Sequence, residues 1–333
     1  MKKLINDPRA VTTEYLEGLA AAHPALLRIS THPAFVVRAD APVPGKVAIL
    51  SGGGSGHEPL HAGFVGAGML DAAVPGPVFT SPTPDPIVAA TKAVDGGAGV
   101  LYVVKNYTGD VLNFETAAEL ASLDGVEVRT VVVNDDVAVR DSLYTAGRRG
   151  VAGALVVEKI AGAAAERGDD LDAIVHLCRR VIGLARSMGV AITPPTVPHS
   201  GEPSFVLADD EVEFGIGIHG EPGRARTAFA PVDRLVDELL EAILEDRPIA
   251  AGSRVLVVLN GMGSTPSSEL YIAFRRVAQV LASAGIEIER SLVGSLVTSL
   301  DMQGFSITVV PLDDELVRLW DAPVHTAALR WGR

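Results

Sequence analysis

One cysteine, Cys178, occurs in 333 residues. A lone thiol excludes an internal disulfide framework and any multi-cysteine metal cluster. It suits a reducing compartment, so a cytoplasmic protein is expected. Long apolar runs are missing: none approaches the roughly 20 residues of a membrane span. The opening stretch MKKLINDPRAVTTEYLEG carries lysines with no apolar segment behind them, so no secretory leader is expected. Positive charge is short, with Lys and Arg numbering 28 against 41 Asp and Glu and a formal net charge of −13. That balance argues against nucleic acid or an anionic membrane as the main partner. Yet 48% of the chain is hydrophobic and 21% charged, enough to bury a sizeable core. At about 150 residues per domain, the length predicts two domains.

Short β-branched runs alternate with helical patterns. Lys46–Leu50, Gly99–Val104, Val126–Val133 and Gly153–Val157 read as buried strands. Continuous apolar strands set between helices predict an α/β fold of two α/β domains, with mixed or parallel sheets flanked by helices. In such sheets ligands bind beyond the carboxyl ends of the strands. Leu171, Ile174, Val175, Cys178, Val181, Ile182 and Ala185 form one helical stripe, which makes Cys178 a core residue rather than a nucleophile. The Pro-, Ser- and Thr-dense segment Thr193–Ser204 is the expected linker. It sets the domains at 1–192 and 193–333, the C-terminal tail returning to the first. In the second domain Val232–Asp246 reads as an amphipathic helix, and Arg254–Leu259 and Ser306–Pro311 as strands.

Three loops could carry chemistry. Ser51-Gly52-Gly53-Gly54-Ser55-Gly56-His57 follows a predicted strand and precedes a predicted helix. Its glycines could bring backbone N–H groups up to a ligand, or could simply make a tight turn. It has neither the Lys-Ser/Thr pair of a phosphate-binding P-loop nor the G-x-G-x-x-G spacing. Gly53-Gly54-Ser55-Gly56 misses the serine-hydrolase elbow. His57 favours function, because a turn needs no imidazole. Lys105 and Asp110 lie in KNYTGD beyond the second strand. There a carboxylate can serve as general base and a lysine can anchor an oxygen, or Asp110 can cap the next helix. His219 sits among the glycines of GIGIHGEPG, as a nucleophile or as a turn residue packed under Pro222. His57 and His61 are four apart, but no matching carboxylate set accompanies them, so no metal is expected. The Asn260–Ser264 loop reads as a structural turn.

Taken together, SGGGSGHEPLHAGFVG, GPVFTSPTPDP, VVKNYTGDVLNFETA, EKIAGAAAERG, FGIGIHGEPG, NGMGSTPSSELYI and WDAPVHTAALRWG resemble the K subunit of the dihydroxyacetone kinases, from Asn6 to the C-terminus. The resemblance implies two α/β domains, a homodimer and a short hydroxy-ketone substrate. It implies that His219 captures the carbonyl covalently as a hemiaminal. His57 and Asp110 would assist proton transfer at the hydroxyl that receives phosphate, and Gly54, Ser55, Gly56, His57, Lys105 and Asp110 would bind the substrate. Only a ketone can be captured by an imidazole, which would reject glycerol and hold the hydroxyl in line. The resemblance also implies no cofactor in this chain. ADP or ATP with magnesium is expected on a separate L subunit, rephosphorylated in phosphoenolpyruvate-dependent systems. Two alternatives accompany this reading: a kinase subunit for erythrulose or another short ketose, and a ketose-sensing transcriptional coactivator.

Overall fold

The computed structural model describes residues 2–139, 146–221 and 223–332. The chain divides into two compact units, and neither is a single stretch of sequence. The first comprises Lys2–Val133, Ala154–Ile182 and the residues from Arg318 onward; the second comprises Asn134–Gly153 and Gly183–Val317. A single cut at 192 therefore does not separate them. The Thr193–Ser204 segment lies inside the second unit and links nothing. Its prolines mark an irregular excursion between two strands of one sheet, a signal that local composition does not distinguish from a linker.

The first unit is built on a six-stranded sheet made from β1 (Leu27–Thr31), β2 (Ala34–Arg38), β3 (Ala48–Ser55), β5 (Ala72–Val78), β6 (Val100–Lys105) and β7 (Val128–Val133). The order is β1-β2-β5-β3-β6-β7. β3 runs parallel to β5 and β6, and β6 parallel to β7; β1, β2 and β5 pair antiparallel. A short β4 (Gly66–Ala67) joins β14 (Val324–Thr326) and β15 (Arg330–Trp331) in a separate three-stranded sheet. The helices are α1 (Val11–Ala22), α2 (Pro84–Val94), α3 (Thr108–Leu123), α4 (Gly153–Arg167) and α5 (Leu171–Leu184). Leu50, Val74, Ile87, Tyr102 and Phe114 meet in the core under α2 and α3. Each such side chain contributes about 1.5–3 kcal/mol by leaving water.

Two sequence expectations fail here. The glycine run is not a loop before a helix: Gly52, Gly53, Gly54 and Ser55 continue β3 and are buried. A turn and a 3₁₀ segment at Ala62–Phe64 follow. Gly153–Val157 is the first part of α4, not a strand. That helix is buried on all sides, so its apolar residues show no 3.6-residue period and the run looks the same as a buried strand. The α5 stripe is as expected, with Cys178 fully buried and its thiol pushed up to about 12 by burial.

The second unit carries β8 (Arg186–Thr193), β9 (Glu211–Phe214), β10 (Ala225–Ala228), β11 (Arg254–Gly261), β12 (Glu287–Gly294) and β13 (Gln303–Leu312), in the order β10-β9-β8-β13-β11-β12. All neighbours are antiparallel except β11 and β12. α6 (Val232–Asp246) and α7 (Ser267–Ser283) cover its core. Asn260 and Gly261 end β11 rather than beginning a loop. The Asn260 amide donates to Val297 O at 2.7 Å and accepts from the backbone N–H groups of Leu296 and Val297, so it is structural. Both units are thus mixed α/β layers. Among the described residues no helix is long and apolar enough to cross a membrane.

Candidate functional site

β3, β6 and α3 bring one group of predicted residues together in the first unit. Lys105 ends β6, and Asp110 is the third residue of α3; both are buried. Asp110 is not the N-cap. That position belongs to Tyr107, which makes no side-chain cap. The Asp110 carboxylate instead accepts a hydrogen bond from the Ser81 hydroxyl. It sits in the first turn of α3, where the helix dipole favours negative charge. Gly53 faces both groups: a Cβ placed there would lie 2.6 Å from Lys105 Nζ and 3.4 Å from Asp110 Oδ2. Gly53 therefore leaves space where a cation and a carboxylate converge.

Gly54 serves a different purpose. A Cβ there would come within 2.5 Å of Thr80 N and 2.8 Å of Phe79 Cα, so the backbone of 79–80 lies directly against it. Phe79 holds a left-handed φ of 54°. Its N–H donates to Ser55 O at 2.9 Å, and its ring stacks on His57 at 5.3 Å with an interplanar angle of 21°. A non-glycine residue in that conformation costs of order 1–3 kcal/mol and marks a place where the surroundings over-determine the backbone. Here the strain sets an aromatic wall against the buried His57. The Ser55 hydroxyl donates to Gly76 O at 2.7 Å and accepts from Thr12 Oγ1 at 3.1 Å. Its side chain thus ties β3 to β5. Gly56 N–H donates to both carboxylate oxygens of Glu58, at 3.1 and 3.0 Å.

Sequence reasoning passed over a buried polar chain beside Lys105. Lys105 Nζ lies 2.6 Å from His61 Nε2 and 3.3 Å from Gly52 O. His61 Nδ1 lies 2.5 Å from Glu158 Oε1 and 3.0 Å from Ser51 Oγ. Burial pushes the Lys105 ammonium down from its ordinary range, opposed by Asp110 and Glu158. Burial pushes the Glu158 carboxyl up, opposed chiefly by Lys105. The legible signal for Glu158 is a charged pair, Glu158-Lys159, inside the apolar run ALVVEKIAGAAA. The stretch His57-Glu58-Pro59-Leu60-His61 has the letters of a helical zinc motif. It forms a turn, however, with both His61 ring nitrogens engaged by Glu158 and Lys105. Among the described residues, no three His, Cys, Asp or Glu side chains gather to hold a metal.

His219 belongs to the second unit. Its Nδ1 lies 3.0 Å from Glu221 Oε1, and its backbone N–H donates to Glu221 Oε2 at 3.1 Å. Burial pushes the Glu221 carboxyl up, but His219 and Arg149 outweigh it and hold the group at about 2. Glu221 is thus an ionised acceptor. It draws the imidazole proton to Nδ1 and leaves the ring lone pair on Nε2, the tautomer a nucleophile needs. Arg149, fully buried, donates to Asp136 Oδ2 at 2.8 Å and Gly215 O at 2.6 Å. A Cβ on Gly217 would fall 2.0 Å from Glu221 Oε2 and 2.8 Å from Arg149 Nη1, so this glycine makes room for the pair. Pro222, the suggested packing partner of His219, lies outside the described residues. Glu221 and Arg149 were not foreseen; a Glu two residues after a candidate histidine was the available hint.

Residues 17–328 match the model of the Dak1 domain. The chain is 54% identical to the dihydroxyacetone-binding subunit DhaK of the PEP-dependent dihydroxyacetone kinase of Escherichia coli (strain K12), covering 100% of both. The dihydroxyacetone kinase from C. freundii, solved in complex with AMP-PNP and Mg2+, superposes with a TM-score of 0.90 at 35% identity, over 99% of this chain and 61% of that one. The dihydroxyacetone kinase operon co-activator Dha-DhaQ gives a TM-score of 0.89 at 36% identity, over 95% of this chain and 97% of that one.

Proposed function

Because the chain belongs to the Dak1 family, we propose that it is the dihydroxyacetone-binding subunit of a dihydroxyacetone kinase. The observation that carries this reading is the 54% identity to a subunit of that name over the whole of both chains. The coactivator reading draws less support, since the co-activator structure is 36% identical.

In the proposed reaction, His219 Nε2 adds to the ketone carbon as the C=O π bond breaks, the oxygen takes a proton from water, and the ring, keeping its Nδ1 proton, is left as an N-substituted imidazolium whose charge the ionised Glu221 balances, giving a hemiaminal. Glu221 supports this step by keeping the imidazole proton on Nδ1. Lys105 and Asp110 bind and orient the substrate oxygens. Asp110, with His57, receives the proton of the attacking hydroxyl as the phosphoryl group arrives. Phosphoryl transfer asks mainly for positioning, and a covalently held ketone has already lost the freedom that alignment would cost. A separate subunit would hold the nucleotide with magnesium, donating the phosphoryl group as ATP and left holding ADP, which is rephosphorylated with phosphoenolpyruvate as the ultimate donor. The proposed assembly is a homodimer in the cytoplasm.

Reconstitution tests this function. The full chain mixed with a nucleotide-bearing DhaL-type subunit and its phosphoryl donor should convert dihydroxyacetone to dihydroxyacetone phosphate, and glycerol should not turn over. Ketone binding without phosphoryl transfer in any such mixture would instead favour a sensing role.

A further inference from the structure

Four separate segments deliver polar groups to one buried point in the first unit: Ser51 and Gly52 from β3, His61 from the turn after it, Lys105 from β6 and Glu158 from α4. Glu158 and Lys159 are fully buried charged residues in an otherwise apolar stretch of α4; Lys159 donates to Leu319 O at 2.8 Å, whereas Glu158 turns to this polar point. A carboxylate there costs stability, and an apolar residue of similar volume would pack as well or better. Packing therefore does not explain the group. Its neighbours do.

We infer that His61 and Glu158 are positioning residues for Lys105, acting through the hydrogen-bonded chain Glu158 Oε1–His61 Nδ1 and His61 Nε2–Lys105 Nζ. The inference deepens the proposed function and rests on the reading of Lys105 as a substrate-binding group. A lysine ammonium is a point charge on a flexible stem with three donors. Here one N–H is directed to His61 Nε2 at 2.6 Å and a second to Gly52 O at 3.3 Å. The third is left for the space over Gly53, where Asp110 Oδ2 also points. Because Lys105 donates to Nε2, that nitrogen is the acceptor and the ring proton sits on Nδ1. Nδ1–H then donates to Glu158, with Ser51 Oγ at 3.0 Å, and the Ser51 hydroxyl itself donates to Val103 O at 2.7 Å. Burial, with Lys105 beside it, holds the His61 imidazole well below its ordinary range against the opposing pull of Asp110, which keeps it neutral. A neutral ring of fixed tautomer thus carries to Lys105 the influence of Glu158, whose carboxyl burial pushes up to about 8, so that its charge is present on the alkaline side, where Lys105 titrates. The charged or titratable groups facing Lys105 are His61 from the turn, Asp110 from α3 and Glu158 from α4.

The test uses the full chain. Without ketone, NMR of 15N-histidine and 13Cε-lysine label should show His61 bare at Nε2 and protonated at Nδ1. Glu158→Gln keeps an acceptor but removes the charge, so Lys105 should titrate at lower pH. With the partner subunit, the alkaline limb of kcat/KM should move the same way, with a loss of about tenfold on that limb. In a His61→Gln background, Glu158→Gln should cost clearly less than it does in the wild type, because only the through-space part of its charge then still reaches Lys105. The opposite His61 tautomer in the wild-type chain, an unmoved Lys105 titration in Glu158→Gln, or additive losses in the double variant would each overturn the inference. The titration is read without ketone, so a chain that binds no ketone would sink the proposed function while the Lys105 shift still decides this one.

Discussion

Asp110→Asn leaves ketone capture intact and lowers phosphoryl transfer by about 10²–10⁴-fold, the usual worth of a positioned acid–base group. The side chain is buried in the first turn of α3 and accepts from Ser81. Asparagine has the same shape, and its amide oxygen can still accept from Ser81. What it loses is the capacity to take a proton from the attacking hydroxyl. Removing the charge also withdraws the main support for the Lys105 ammonium, so the residual activity should fall away at lower pH on its alkaline side. Native mass spectrometry reads capture, and steady-state turnover with the partner subunit reads transfer. Turnover within tenfold of the wild type, or loss of the adduct together with turnover, would remove Asp110 from the role of base.

Gly53→Ala and Gly54→Ala should fail in different ways. At Gly53 the backbone has a φ of 153°, and the new methyl would start 2.6 Å from Lys105 Nζ. That contact is with the tip of a flexible side chain, so the fold can yield there by moving the ammonium, while the φ itself strains a non-glycine residue by about 1–3 kcal/mol. Lys105 would then leave His61 and Gly52. A displacement of about 1 Å at a reacting site can cost on the order of 10²-fold, so turnover should fall by about that factor beyond what the loss of stability explains. At Gly54 the methyl would meet Thr80 N at 2.5 Å and Phe79 Cα at 2.8 Å, both backbone atoms. Overpacking of that kind typically costs about 1–3 kcal/mol. The Phe79 wall beside His57 should shift, and thermal stability should fall with activity. Denaturant melts and turnover measured on both variants separate the two cases. Unchanged turnover at Gly53 would contradict the placement of Lys105.

The candidate residues could be read from the sequence where chemistry and local pattern coincide. Lys105 and Asp110 follow an apolar strand that ends where the sequence places it to within a residue, and His57 and His219 stand out as imidazoles among glycines. The rest could not, for physical reasons. The glycine run reads as a turn because glycine weakens strands. It remains in β3 because backbone from the neighbouring segments approaches too closely for any side chain, as Val74 O does at Gly52. α4 escaped because a helix buried on every side has no amphipathic period. Glu158 and His61 escaped because their partners lie 97 and 44 residues away in sequence, from Glu158 to His61 and from His61 to Lys105. Two units were expected from length, but their boundaries escaped because the chain crosses between units more than once, leaving no single compositional break.

Covalent capture of a ketone by His219 is the step on which the proposed reaction depends. The most direct measurement is NMR of 15N-histidine-labelled chain mixed with dihydroxyacetone carrying 13C at its carbonyl. A bound tetrahedral carbon with a one-bond 13C–15N coupling is predicted, present in the wild type and absent in His219→Ala. Imidazole addition keeps every atom of the ketone, whereas a Schiff base on the buried Lys105 would lose water and leave a trigonal carbon bonded to lysine nitrogen. Coupling that survives His219→Ala, a trigonal lysine-bound carbon, or a spectrum of free ketone and its hydrate alone would contradict the account.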